Sequence, residues 1–84
     1  MAKFTPEMKF ATSQVRPPYR GLVIDFVEFP DYIGLRIYEN QIMSMDSSKQ
    51  YSVMEYLHML RNVIESFGVK CFFDGAKGDP PGRI

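Results

Sequence analysis

The chain has no tryptophan, one cysteine and one histidine among its 84 residues. A single Cys71 excludes an internal disulfide and a zinc site built on several cysteines, and it suits a reducing compartment. A metal site at His58 would need ligands at helical spacing, where only Glu55 and Asn62 are available. We therefore predict no metal and no cofactor, with His58 on the surface of a helix.

The chain also lacks an excess of charge of either sign and lacks a long apolar run. Ten basic residues balance ten acidic ones, so no overall field attracts nucleic acid or an anionic membrane. No apolar run approaches the roughly 18 residues of a membrane-spanning helix, and the N-terminus MAKFTPEMKF is too polar for a signal peptide. We expect a soluble cytoplasmic protein that begins at its own start codon.

What the chain does contain is apolar and aromatic material in amounts that suit one small folded domain. Apolar residues make up 45% of the sequence, with seven Phe, five Tyr and six Met. We predict a single domain over residues 1–84, made of an N-terminal helix and linker (1–19), a core of sheet and helix (20–74) and a flexible Gly/Pro tail (75–84).

The N-terminal helix is predicted from its start signals. Thr5 is a hydroxyl cap, Pro6 suits the first helical position, and Glu7 places a carboxylate near the positive end of the helix dipole. An apolar stripe follows at helical spacing, formed by Phe4, Met8, Ala11 and Val15. Arg16-Pro17-Pro18 then requires an extended linker.

Two strands are predicted at residues 22–29 and 32–38, the second with strict alternation. Ile33, Leu35 and Ile37 share one face of it. The segment YENQ favours a two-residue turn at Glu39-Asn40 into a third strand, which would pair Ile37 with Ile42. Asp25 is expected opposite a basic residue such as Arg36.

The strongest helix signals come later in the chain. Ser52 and Glu55 form a capping box, and Gly68 is placed to end the helix in the left-handed conformation. The apolar positions between them repeat at four, three, four and three: Val53, Leu57, Leu60, Ile64 and Phe67. VKCFF, residues 69–73, is long enough for one more strand. The predicted fold is therefore α+β: an antiparallel three-stranded meander with one long helix on a face, a short N-terminal helix and a fourth strand at an edge.

No set of residues for catalysis is present. Cys71 lies in an apolar strand, where a buried inert thiol is expected, so a pair with His58 is disfavoured. Asp25 and Glu28 lie on opposite faces of their strand and cannot act together as acid and base. The glycines of DGAKGDPPG lack the spacing of a phosphate-binding loop. We predict that the protein is not an enzyme.

The best candidate site is the face of the meander that points away from the long helix. Tyr, Arg and Met are enriched at the centres of protein–protein interfaces. The alternative is that the N-terminal helix covers this face as a second small core. The predicted partner-binding residues are Tyr32, Arg36, Tyr38, Met43 and Met45.

We therefore expect a small non-catalytic protein-binding module, an inhibitor or regulator that occupies the surface of a partner protein. Phage-encoded inhibitors of host machinery, including anti-CRISPR proteins, are similar in size and character. The order helix, three strands, helix also resembles double-stranded RNA-binding domains, which would imply nucleic-acid binding. Those domains carry lysines at the start of the last helix, whereas residues 51–55 here have none. A structural subunit or homodimer is the remaining alternative.

Overall fold

The computed structural model describes residues 2–37 and 46–74 of the chain. In chain order the elements are α1 (Pro6–Ser13), β1 (Ile24–Glu28), β2 (Tyr32–Ile37), α2 (Ser47–Glu65) and β3 (Lys70–Phe73). The predicted α+β class is confirmed: two helices accompany one small sheet in the described part of the chain.

The sheet is mixed, and the prediction of an antiparallel three-stranded meander is wrong. Its strand order is β1-β2-β3, with β1 antiparallel to β2 and β3 parallel to β2. Parallel neighbours need a crossover connection, usually a helix, and α2 lies between β2 and β3 in the chain. The strand predicted at an edge over residues 69–73 exists, but within the described residues it is the third strand of the sheet.

Strand β2 lies between β1 and β3, and over residues 33–35 both of its edges are paired. Leu35 pairs with Phe26 of β1 on one side and with Phe73 of β3 on the other. The predicted turn and third strand lie outside the described residues.

Helix α1 begins where the sequence predicts. The Thr5 side chain accepts a hydrogen bond from the Met8 backbone N–H at 3.2 Å, and Pro6 is the first helical residue. Met8 is buried in the main core, and the Phe4 ring stacks on Phe26 with centroids 4.3 Å apart. Helix α1 therefore packs on the same face of the sheet as α2, and the alternative in which it covers the opposite face is wrong.

The N-cap of α2 lies six residues before the predicted one. Asp46 is the N-cap, and its carboxylate accepts from the Lys49 backbone N–H at 2.9 Å. Ser52, the predicted cap, lies inside the helix and donates to the Ser48 carbonyl at 3.2 Å. The predicted end is confirmed, because Gly68 has φ +85°, in the left-handed region.

The core lies between the helices and one face of the sheet, which we call the inner face. Alternation along β2 puts Ile33, Leu35 and Ile37 there, as predicted. Four of the five predicted stripe residues of the long helix are also buried: Val53, Leu57, Leu60 and Ile64. The fifth, Phe67, lies beyond the end of α2 and is 43% exposed, so its predicted place in the stripe is wrong. No helix in the described part of the chain is long and apolar enough to span a bilayer.

Candidate functional site

The sheet face turned away from both helices, here called the outer face, follows from the strand pairing. Directly paired residues share a face, and the pairs Ile24–Ile37 and Cys71–Ile33 belong to the inner face. The alternate pairs belong to the outer face: Asp25–Arg36, Val27–Gly34, Tyr32–Lys70 and Gly34–Phe72.

Three aromatic rings lie on the outer face, where the central one, Tyr32, contacts the other two. We call them the aromatic trio: Phe29, Tyr32 and Phe72. Phe29 stacks on Tyr32 with centroids 4.7 Å apart and planes 16° from parallel. Phe72 meets Tyr32 edge to face, with centroids 5.2 Å apart and planes at 76°. Such pairs contribute about 0.5–1.5 kcal/mol beyond their buried area. Phe72 nevertheless remains 48% exposed, so the trio presents apolar surface to solvent.

Gly34 makes room for the trio at the centre of β2. A Cβ atom at this position would lie 2.8 Å from Cε2 of Phe29 and 3.2 Å from the Cβ of Asp74. A separation of 2.8 Å is shorter than the distance at which a Cβ atom and another nonbonded carbon can lie, so a side chain here would push the Phe29 ring away. The absence of a side chain at Gly34 thus lets Phe29 lie flat over the middle strand.

An ion pair borders the trio on the outer face. The Arg36 guanidinium donates to the Asp74 carboxylate, with Nε 2.9 Å from Oδ2 and a second bond from Nη2 to the same oxygen. The two side chains are 30% and 19% exposed. Asp25 is directly opposite Arg36 in the neighbouring strand, so the predicted register is confirmed. Asp74 holds the guanidinium in one orientation beside the aromatic rings.

The predicted partner-binding residues divide into two groups. Tyr32 and Arg36 lie on the outer face, where the alternation of β2 places them. Tyr38, Met43 and Met45 lie outside the described residues. Sequence reasoning missed Phe29 and Phe72 as members of the site. Phe29 shares the alternation of β1 with Asp25 and Val27, whereas the face of Phe72 depends on the strand with which β3 pairs.

The candidates for chemistry do not come together as a catalytic site. Cys71 is 0% exposed, and this burial raises the pKa of its thiol to about 11. The negative charge of Glu65 also raises the pKa, and the positive charge of Arg61 lowers it. His58 is exposed, and its ring packs edge-on against Phe73 with centroids 5.2 Å apart. Over residues 2–37 and 46–74, no three His, Cys, Asp or Glu side chains form a group suited to a metal ion.

A shallow cavity of about 290 Å³ opens between α1, β1 and α2 on the inner side. Its walls are mainly apolar, and burial raises the pKa of the Tyr56 hydroxyl in its wall. The hydroxyl of Thr12 donates to the Met8 carbonyl at 2.9 Å, so that proton is already used within α1. The cavity therefore offers mainly apolar contact.

Comparison of the chain with protein-family models, with curated proteins and with solved structures finds no match.

Proposed function

We propose that this protein is a non-catalytic protein-binding module, an inhibitor or regulator that acts by occupying a partner's surface with its outer face. The observation that carries the proposal is the aromatic trio, in which Tyr32 contacts both Phe29 and Phe72 on a sheet face that neither α1 nor α2 covers. A partner that covers these rings removes apolar area from water, which is the main driving force of protein association.

The arrangement of the outer face favours binding at low entropic cost. Stacking already restricts Phe29 and Tyr32, and Asp74 already orients Arg36. Side chains that are ordered before association lose less rotamer freedom when a partner binds. Tyr and Arg are also among the residues that most often dominate interface energies.

Single-stranded nucleic acid is the second candidate partner, because bases stack on exposed aromatic rings. Lys70 stands directly opposite Tyr32 and supplies one positive charge near the trio. The positive charges of Lys70 and Arg36 are balanced by Asp25 and Asp74 on the same face, however, and the chain has a net charge of zero, so no positive field attracts phosphates. A protein partner therefore fits the outer face better.

The test uses two exposed phenylalanines as a matched pair. Phe72 is 48% exposed in the trio and Phe10 is 69% exposed on α1. The wild type, Phe72→Ala and Phe10→Ala are immobilised and exposed to lysate from the cells that make the protein, with and without nuclease. We expect a protein that the wild type and Phe10→Ala retain, and that Phe72→Ala binds roughly 30-fold more weakly, the effect of a central anchor.

The other outcomes separate the alternatives. A bound protein that Phe10→Ala loses and Phe72→Ala keeps would place the interface away from the outer face and refute the proposal. Capture that disappears with nuclease, and that weakens steeply as salt rises, would favour nucleic acid. Sedimentation of a dimer that Phe72→Ala dissociates would identify a second copy of the chain as the occupant.

A further inference from the structure

Arg61 lies on α2, where its side chain crosses toward the end of β3. The carbon at the centre of its guanidinium is 5.8 Å from the centroid of the Phe73 ring, within the range of a cation–π contact. The residue is partly buried. Phe73 pairs with Leu35 and faces inward, so this position is separate from the outer face.

Among residues 2–37 and 46–74, no side chain gives the guanidinium the ion pair or hydrogen bond that a partly buried arginine normally has. Its Nε is buried and has no hydrogen-bond acceptor, and no carboxylate of the described residues forms an ion pair with it. Glu65, one turn further along α2, instead accepts from the Cys71 backbone N–H at 3.4 Å. A buried donor without an acceptor lowers stability, and arrangements of this kind often have a functional explanation.

His58 lies one turn before Arg61 on α2 and contacts the same aromatic ring. Its imidazole meets Phe73 edge-on with centroids 5.2 Å apart, and the residue is exposed. Two side chains with N–H donors therefore flank Phe73, one on the surface and one partly buried. Of the described residues, none supplies an anion to this pair.

We propose that Arg61 and His58 form a binding site for an oxyanion, a carboxylate or a phosphate group carried by a ligand or partner. The planar fork of N–H groups on arginine matches the oxygens of either anion and binds them in a bidentate manner. Phe73 lies against the guanidinium on one side and Nε is buried, so the terminal N–H groups are the donors to the anion. The proposal is independent of the outer face and of the partner proposed for it.

The test is a nuclear magnetic resonance titration of the full chain, labelled with ¹⁵N, at constant ionic strength. Sodium acetate and sodium phosphate are each exchanged for sodium chloride while the Arg61 Nε–H signal is followed. We expect a saturable shift with acetate, phosphate or both, lost in Arg61→Gln and weakened at least threefold in His58→Gln. Arg16→Gln, which removes an exposed linker arginine, is the control and should bind as the wild type does.

The more effective anion identifies the chemistry of the natural group. A linear, non-saturating change with both salts, equal to that in chloride, would overturn the proposal. So would saturable binding that survives Arg61→Gln, because the anion would then bind elsewhere.

A second measurement separates a ligand-binding arginine from a structural one. Arg61→Met keeps the apolar stem and removes the unpartnered N–H. In chloride buffer we expect the thermal midpoint to rise by about 4 °C or more, since a buried unsatisfied donor is removed. A fall of similar size would show that the guanidinium stabilises the fold through Phe73 and would count against the proposal.

Discussion

The thiol of Cys71 shows how burial controls chemistry at the scale of one residue. Its side chain is 0% exposed, and Ile33 lies directly opposite it in β2. Taking a thiolate out of water is unfavourable, and the nearby carboxylate of Glu65 opposes a second negative charge. The neutral thiol is therefore an apolar part of the core, and the buried inert thiol expected from the sequence agrees with this geometry.

We predict that Cys71 reacts very slowly with iodoacetamide in the native protein at pH 8. With a pKa of about 11, about one thiol in a thousand is ionised at that pH, and only the thiolate attacks. The same protein in urea should react at the rate of an ordinary thiol, as mass spectrometry over time will show. Equal rates in the two states would contradict the buried placement.

Gly34 determines the shape of the candidate site through the absence of a side chain. We predict that Gly34→Ala destabilises the protein by about 1–3 kcal/mol in urea unfolding, the usual cost of overpacking, because the new methyl group meets the ring of Phe29. Nuclear Overhauser contacts between the Phe29 and Tyr32 rings should weaken in the same variant. The double variant with Phe29→Leu should recover part of the loss. An unchanged unfolding free energy with intact ring contacts would show that the ring is not where we place it.

At the scale of elements, α2 shows that a sequence with the spacing of a capping box does not always begin a helix. Ser52 and Glu55 have the spacing of a capping box, yet Asp46 caps the helix and Ser52 lies within it. The longer helix adds hydrogen bonds to the backbone over residues 47–51. Asp46 also receives a bond from the Ser48 hydroxyl at 2.8 Å, so its carboxylate is a well-satisfied cap.

Those bonds make the stabilising effect of Asp46 depend on pH in a definite direction. Hydrogen bonds from the Lys49 backbone and the Ser48 side chain lower its pKa from the ordinary 3.8. The carboxylate therefore stabilises the fold above the unfolded-state pKa, and this contribution is lost as pH falls through the lower folded value. We predict that the melting temperature of Asp46→Ala lies below that of the wild type at pH 6, and that the gap narrows below pH 3.8.

Ser52→Ala is the matched control for the cap. It should melt close to the wild type at every pH, since its hydroxyl donates to the Ser48 carbonyl inside the helix and does not cap the helix end. A gap for Asp46→Ala that stays constant from pH 6 to pH 2 would contradict the cap assignment. A large fall in the melting temperature of Ser52→Ala would instead support the shorter helix, with Ser52 as its N-cap.

At the scale of the whole molecule, stability depends on one layer of helices over one face of the sheet. The central cluster joins α1, β2, α2 and β3 through Met8, Ile33, Leu60 and Cys71. Segments far apart in the chain therefore share a single core, and loss of one central side chain should weaken all of them together.

We predict that Leu60→Ala lowers the free energy of unfolding by about 2–5 kcal/mol, through lost burial and the cavity left behind. Met59 is adjacent in α2 but 51% exposed, against 1% for Leu60. Met59→Ala should therefore change the free energy by no more than about 0.5 kcal/mol. Urea unfolding of both variants measures the difference. Similar losses at the two positions would mean that the buried side of α2 has been misassigned.

Local spacing in the sequence was enough for the features that depend on neighbours within about four residues. The start of α1 at Thr5-Pro6, the buried side of α2 and the left-handed Gly68 all follow from such spacing. The alternation of β2 likewise assigned Tyr32 and Arg36 to the side opposite Ile33 and Leu35. Each depends on helix or strand periodicity, which adjacent residues determine by themselves.

Only the tertiary structure decided which segments meet. Alternation is the same in parallel and antiparallel strands, so the pattern of β2 could not show that β3, rather than a hairpin partner, would occupy its second edge. That pairing joins residues almost forty positions apart, and it alone brings Phe72 beside Tyr32 and Asp74 beside Arg36. The sequence predicted Tyr32 and Arg36 because strand periodicity is local. It did not predict Phe72 and Asp74, because strand pairing depends on how the whole chain buries its apolar surface.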